Sequence, residues 1–293
     1  MRRARIVALD IGGSHVTAAV VDGSQREIVA GTRRHVAVDE GAASEVILET
    51  WARAALQAVT ALGDGVDGVG IAVPAPFDYG RGVSLMEHKF RALYGRPVVS
   101  LLEEWFRDSQ LEGAPVLVAN DADLFALGEW WAGAARGRER MIGRTLGTGL
   151  GSGFVAHGRI VTGGPEVPTG GEIWSLPYLD GVAEDFVSGR AIAASYARAT
   201  GRELAASEIA ERADSGESAA LGAFAEMALH LGRIMEPHIA RFKPECIVVG
   251  GSIAHAWAVF GPRMAAALAP VECRPSARFE DATLLGAAAL AQT

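Results

Sequence analysis

Apolar residues come in short unbroken runs near the start of the chain and again near its middle. Residues 5–11 (RIVALDI) form one such run, closed by Gly12-Gly13. It predicts a buried strand that ends in a tight turn. Residues 16–22 and 27–36 predict a second and a third strand. Over residues 44–62 the spacing becomes helical, with Ser44 placed as an N-cap. Residues 67–73 predict a fourth strand, stopped by Pro74 and Pro76. A helix over 98–109, a strand over 115–119 and a helix from Asp121 to about residue 135 follow.

The pattern then restarts. Residues 141–147 predict a strand ending in a glycine turn, and residues 152–156 and 159–162 a hairpin around His157-Gly158. A long helix is predicted over 218–241, a buried strand over 245–249 and a last helix over 283–291. Strand, glycine turn, strand and strand thus occur twice. The repeat predicts an α/β fold made of a duplicated unit, with a cleft between two lobes where small molecules bind. The boundary is drawn near Ala119. This gives an N-terminal lobe over 1–119, joined by the helix at 283–293, and a C-terminal lobe over 120–282.

The net charge of -8 comes without a basic stripe, which argues against a nucleic-acid partner. Two cysteines, Cys246 and Cys273, give no disulfide framework and no zinc cluster, as expected of a reducing compartment. Cys246 sits in an apolar run and reads as a buried thiol. Asp10 interrupts the first apolar run too early for a signal peptide. No run approaches the ~20 residues that span a bilayer. The expectation is a cytoplasmic protein with no membrane partner.

The two glycine turns carry the candidate chemistry. Neither fits a P-loop, and a strand rather than a helix follows Gly13, which excludes a dinucleotide fingerprint. Glycines at a hairpin tip bring backbone N–H groups close to an anion, because no Cβ intervenes. Asp10 beside the first turn can hold Mg²⁺, which favours a carboxylate with waters and phosphate oxygens. Two such turns and a third glycine pair, Gly250-Gly251, favour a nucleotide over two unrelated hairpins. Asn120-Asp121 follows a predicted strand and opens a helix. From spacing alone it reads as an N-cap.

In order and content these segments resemble the ROK family (repressors, open reading frames and sugar kinases) over essentially the whole chain. The resemblance rests on Ala8-Leu9-Asp10-Ile11-Gly12-Gly13-Ser14, Gly70-Ile71-Ala72-Val73-Pro74-Ala75-Pro76 and Asn120-Asp121-Ala122-Asp123 with Leu127-Gly128-Glu129. It continues through Thr145–Gly151, Gly171-Glu172-Ile173, Ser188-Gly189-Arg190-Ala191 and Ile247–Ser252. It implies a duplicated actin-like ATPase (ribonuclease H-like) fold and ATP-dependent phosphorylation of a hexose, commonly glucose or a relative at the 6-hydroxyl. It further implies Asp121 as general base and Asn120 and Glu172 as sugar ligands. The phosphate ligands would be Gly12, Gly13, Ser14, Gly147, Thr148 and Gly149. Gly250 and Gly251 would approach the adenosine, and the assembly would be a homodimer.

The chain departs from the family at four places. Ala75 replaces a usual glycine. Trp174-Ser175 stand where the family has Gly-His, and the family's cysteine-rich zinc segment is replaced by residues 179–185, so no structural zinc is expected. Lys89 stands about where a sugar-contacting Asn is usual, and reads equally as a sugar contact or a surface lysine. Trp174 reads as core packing, with stacking on a sugar face as the alternative. The departures keep open an amino sugar or other hexose derivative, a polyphosphate donor, and a non-catalytic sugar-binding regulator. Little sequence precedes Arg5 for a helix-turn-helix, which favours the kinase over a repressor.

Overall fold

A computed structural model describes residues 4–60, 62 and 65–292. The parts of the readings above that fall on Met1–Arg3, Ala61 and Thr293 lie outside these residues. The chain begins with strands β1 (Arg5–Ile11), β2 (His15–Asp22), β3 (Glu27–Ile28) and β4 (Arg34–Ala37), then helix α1 (Ser44–Val59). Strands β5 (Gly68–Val73), β6 (Phe77–Asp78) and β7 (Val83–Ser84) lead to α2 (Val98–Trp105), β8 (Val116–Asn120) and α3 (Asp121–Ala132). Next come β9 (Arg140–Leu146), β10 (Leu150–Ala156), β11 (Arg159–Ile160), β12 (Pro177–Tyr178) and β13 (Gly181–Val182). Helices α4 (Ala183–Phe186), α5 (Gly189–Thr200), α6 (Ala206–Asp214) and α7 (Ser218–Phe242) follow. The chain ends with β14 (Cys246–Gly250), α8 (Trp257–Leu268), β15 (Glu272–Pro275) and α9 (Ala282–Leu290).

Contacts divide the chain into two units, Met1–Ala132 with Glu280–Thr293, and Gly133–Phe279. In the first, the sheet order is β3-β2-β1-β5-β8, with β4 also on β2. Strand β1 is antiparallel to β2 and parallel to β5, and β5 is parallel to β8. The second unit repeats this plan in the order β11-β10-β9-β14-β15. Strand β9 is antiparallel to β10 and parallel to β14, which is parallel to β15. One hairpin and two added parallel strands thus occur twice, as a duplicated actin-like fold requires.

Each unit has its own core. In the first, Val7, Leu9, Val16 and Ile71 of the sheet bury against Trp51 and Ala55 of α1. In the second, Ile142, Phe154 and Val249 bury with Met235 and Phe242 of α7. Cys246 is buried in its strand, and desolvation pushes its thiol up to about 11.

Three sequence readings differ from the fold in extent. The predicted strand over 27–36 is two short strands, because the Thr32 N–H donates to the Val29 carbonyl at 3.3 Å and turns the chain between them. The helix predicted to residue 109 ends at Trp105, and Asp108 already has a φ of 56°. Helices α5, α6 and α8 had no counterpart in the sequence reading. Helix α8 contains Gly261-Pro262, an unpromising pair for a helix interior, yet buries Phe260 and Met264. The boundary read near Ala119 falls before α3, whereas α3 packs with α9 inside the first unit.

Candidate active site

In the first unit the site begins with parallel strands. β1 and β8 flank β5, with Asp10 opposite Ala72 and Asn120 opposite Val73. Their carboxyl ends therefore open on one edge of the sheet, where α/β proteins bind ligands. The Gly12 N–H donates to the His15 carbonyl at 2.9 Å, closing Gly12-Gly13-Ser14 into a tight hairpin tip at that edge. Asp10 precedes this tip and Asp121 opens α3 beside it. Burial pushes the Asp10 carboxyl up to about 7, and the Asp121 charge adds to the shift.

Asp121 is exposed, yet the protein packed around its carboxylate raises its pKa above the ordinary value. The Ala122 N–H, the Lys89 charge and its own N–H oppose that shift, in that order. Asn120 is used twice. Its Oδ1 accepts from the Ala122 N–H at 2.9 Å, so it does cap α3, and its Nδ2 donates to the Tyr79 hydroxyl at 3.3 Å. Tyr79 in turn donates to the Val73 carbonyl at 2.9 Å. Phe90, next to Lys89 in the chain, is fully buried and meets Trp51 edge-on at 5.2 Å. A Cβ on Gly13 would lie 3.8 Å from Lys89 Cε and 3.4 Å from Glu40 Oε2, so the lysine stem runs along the glycine tip. Asp10, Gly12, Gly13, Ser14, Lys89, Asn120 and Asp121 thus gather at one edge.

The second unit gathers the other candidates. The Gly147 N–H donates to the Gly149 carbonyl at 3.1 Å, and the Gly189 N–H to the Gly147 carbonyl at 2.8 Å. The loop Gly147-Thr148-Gly149 therefore rests on the start of α5, whose N-cap Ser188 accepts from the Ala191 N–H. A helix start presents free N–H groups and a partial positive charge to an anion. Glu184 ties the loop to that helix. One oxygen accepts from the Leu150 N–H at 2.9 Å and the other from Arg190 Nη2 at 2.7 Å.

A cavity of about 840 Å³ opens beside the loop. Gly147, Thr148 and Arg190 line it on one side, and apolar residues such as Ala206, Phe224 and Val259 on another. Gly250 and Gly251 do not line it, but the following Ser252 and Ile253 do. Gly251 has a φ of 83°, and a Cβ there would fall 2.4 Å from the Leu146 carbonyl oxygen, so it lets β14 turn against β9.

Glu172 lies in a segment pinned to β10. Ser152 Oγ donates to the Gly171 carbonyl at 2.7 Å and accepts from the Ile173 N–H at 3.1 Å. Trp174 is not core. It is 44% exposed, and its indole N–H donates to Glu172 Oε2 at 3.2 Å. The chain turns out there because the indole has a polar partner at the surface. Sequence reading missed Tyr79 and Glu184, whose partners lie far along the chain, and Glu40, which comes close to the Gly13 tip. Arg190 stands in the segment Ser188-Gly189-Arg190-Ala191, which by itself gives it no role.

Among the described residues, no three His, Cys, Asp or Glu side chains come together to hold a metal ion. Mg²⁺ needs only one or two carboxylates when phosphate oxygens complete its shell. The Asp10 carboxyl beside the glycine tip is a hard oxygen donor of that kind, and it fits the ion. No helix of the described residues is long and apolar enough to cross a membrane.

Residues 6–293 match the ROK family, and the chain belongs to it. It is 27% identical to a glucokinase from Thermotoga maritima over 323 residues, covering 99% of this chain and 98% of that one. It is 31% identical to an N-acetylmannosamine kinase from Shigella flexneri over 307 residues, with 98% of each covered. Among solved structures it resembles a ROK family glucokinase from Streptomyces griseus in complex with glucose and AMPPNP. The TM-score there is 0.78 at 25% identity, with 99% of each chain covered.

Proposed function

We propose that this member of the ROK family is an ATP-dependent sugar kinase that phosphorylates a hexose hydroxyl, with the 6-hydroxyl of glucose or a related hexose as acceptor. The observation that carries this reading is the setting of Asp121. It stands accessible at a strand edge beside Asp10, Lys89 and the Gly12–Ser14 tip. A sugar hydroxyl is a weak nucleophile, and a carboxylate in reach of it can orient it and take its proton. Asn120, turned by Tyr79, and Lys89 would fix neighbouring hydroxyls. Asp10 would hold Mg²⁺, which when bound would neutralise charge on the phosphates.

In the second unit, Gly147, Thr148 and Gly149 would hold phosphate oxygens by backbone N–H groups. The cavity is large enough for a nucleoside, and its apolar walls suit a base. Arg190 stands at its rim, 73% exposed at the side chain and steadied by Glu184. It can swing from that carboxylate to a phosphate. Arg190→Ala is expected to raise the KM for ATP about 10- to 100-fold, the worth of one charge-assisted hydrogen bond, with the KM for sugar unchanged. Steady-state kinetics at saturating sugar check this.

The similarity to an N-acetylmannosamine kinase, together with Lys89 at the acceptor edge, favours a second reading in which the acceptor is an amino sugar or its N-acyl derivative. The test is turnover of ATP-Mg²⁺ with glucose, mannose, glucosamine, N-acetylglucosamine and N-acetylmannosamine. One strongly preferred sugar supports the kinase and identifies its class, and sugar-independent ATP loss contradicts it. Lys89→Met is expected to change the KM for the preferred sugar by about tenfold, one polar contact's worth, and to leave the KM for ATP in place.

A further inference from the structure

Arg144 is the anomaly of the second unit. It is fully buried, and its Nε, Nη1 and Nη2 all lack a hydrogen-bond partner. Strand alternation places it on the same face of β9 as Arg140, Ile142 and Leu146. That face packs on α7, since Ile142 and Leu146 share a core with Met235 and Phe242.

The two arginines on this face meet opposite fates. Arg140 donates to Glu166 Oε2 at 2.9 Å and to the Phe242 carbonyl at 2.7 Å, and its guanidinium lies 4.1 Å from the Phe242 ring centre. Arg144, four strand pairs further along β9, meets no acceptor. The ionisable neighbour it does feel is His238, one helical turn before Phe242 and only 6% exposed. Burial, then the charges of Arg144 and Arg241, hold that imidazole down to about 4, so it is neutral at pH 7. Ser152, opposite Arg144 in β10, already has its hydroxyl bonded to Gly171 and Ile173.

A guanidinium offers five N–H donors and stays protonated at neutral pH. Burial lowers the Arg144 pKa only to about 9, so the charge remains. A buried charge without a partner is among the most unfavourable groups a core can hold, and such an orphan points to an ion or water that satisfies it. Water would fill the donors and leave the charge. A compact anion on one edge of the guanidinium would answer the charge and two of the donors, with water on the rest.

We propose that Arg144 holds a small monovalent anion of halide size between β9 and α7, a structural site that stiffens the layer beneath the Glu172 segment. The link is Ser152, which joins β10 opposite Arg144 to the residues on either side of Glu172.

The test is thermal unfolding of the full chain in sodium chloride against sodium gluconate at equal ionic strength, paired with crystals grown in sodium bromide. The expected result is a saturable rise in Tm with chloride, reaching about 5 °C, as for a ligand that binds only the folded state. Bromide should give an anomalous peak within contact of the Arg144 guanidinium. Arg144→Met should remove the chloride dependence while keeping the core filled. The wild-type titration and the bromide peak stand on their own if that variant does not fold. Equal Tm in the two salts, an unsaturable rise with chloride, or ordinary water beside Arg144 in bromide would each overturn the proposal.

Discussion

Asp121→Asn is expected to lower kcat for sugar phosphorylation by about 10²–10⁴-fold, the usual contribution of a positioned general base. The amide keeps the size of the carboxylate, and its oxygen can still accept from the Ala122 N–H that Asp121 binds at 2.8 Å. It cannot accept the hydroxyl proton. The capping bond from Asn120 Oδ1 to the same N–H also survives, so the start of α3 should hold. The KM for ATP should change little, because the loop Gly147–Gly149 and the cavity lie in the other unit. Stopped assays at saturating sugar, with circular dichroism as a control for folding, measure both. An unchanged kcat would remove Asp121 from the chemistry.

The largest loss of stability is expected from Gly286→Ala. Helices α3 and α9 touch along Leu124 and Gly128 on one side and Ala282 and Gly286 on the other. A Cβ on Gly286 would stand 1.8 Å from the Leu124 carbonyl oxygen, and one on Gly128 1.8 Å from that of Ala282. Both obstacles are backbone, so no rotamer relieves them, and one methyl must push the helices apart. Helix α9 is buried over nearly its whole length, which leaves it no free direction. Severe overpacking of this kind is expected to cost about 3–5 kcal/mol, or a fall in Tm of about 10 °C. Differential scanning calorimetry checks it. Because α3 carries Asp121 at its first position, kcat should fall in the same variant. A Tm within a degree of wild type would mean that the seam is looser than described.

The duplicated plan was legible because hydrophobic runs of strand length sit beside glycine turns in both halves, and backbone pairing follows directly from such runs. The hairpins at Gly12-Gly13 and at Gly147–Gly149 could be placed from sequence for that reason. Asp10 and Asp121 were legible as strand-end carboxylates. Their approach to one another was not, since it depends on β5 lying between their strands.

Other features rest on contacts across long stretches of chain. Tyr79 orients Asn120 from 41 residues away, and Glu184 holds Leu150 from 34 residues away. No local pattern announces either. Trp174 misled because size and hydrophobicity suggest burial, whereas its indole N–H has a surface carboxylate to bond. Arg144 sits in an apolar strand where alternation makes its side chain face the core, and only the packed structure shows that nothing answers it.

The most direct measurement is phosphorus NMR of purified protein with ATP, Mg²⁺ and the sugar that the panel prefers. The proposed kinase activity requires a new phosphate-ester resonance on the sugar, growing in step with ADP and absent with Asp121→Asn. Growth of inorganic phosphate alone, or consumption of ATP at the same rate without sugar, would contradict it.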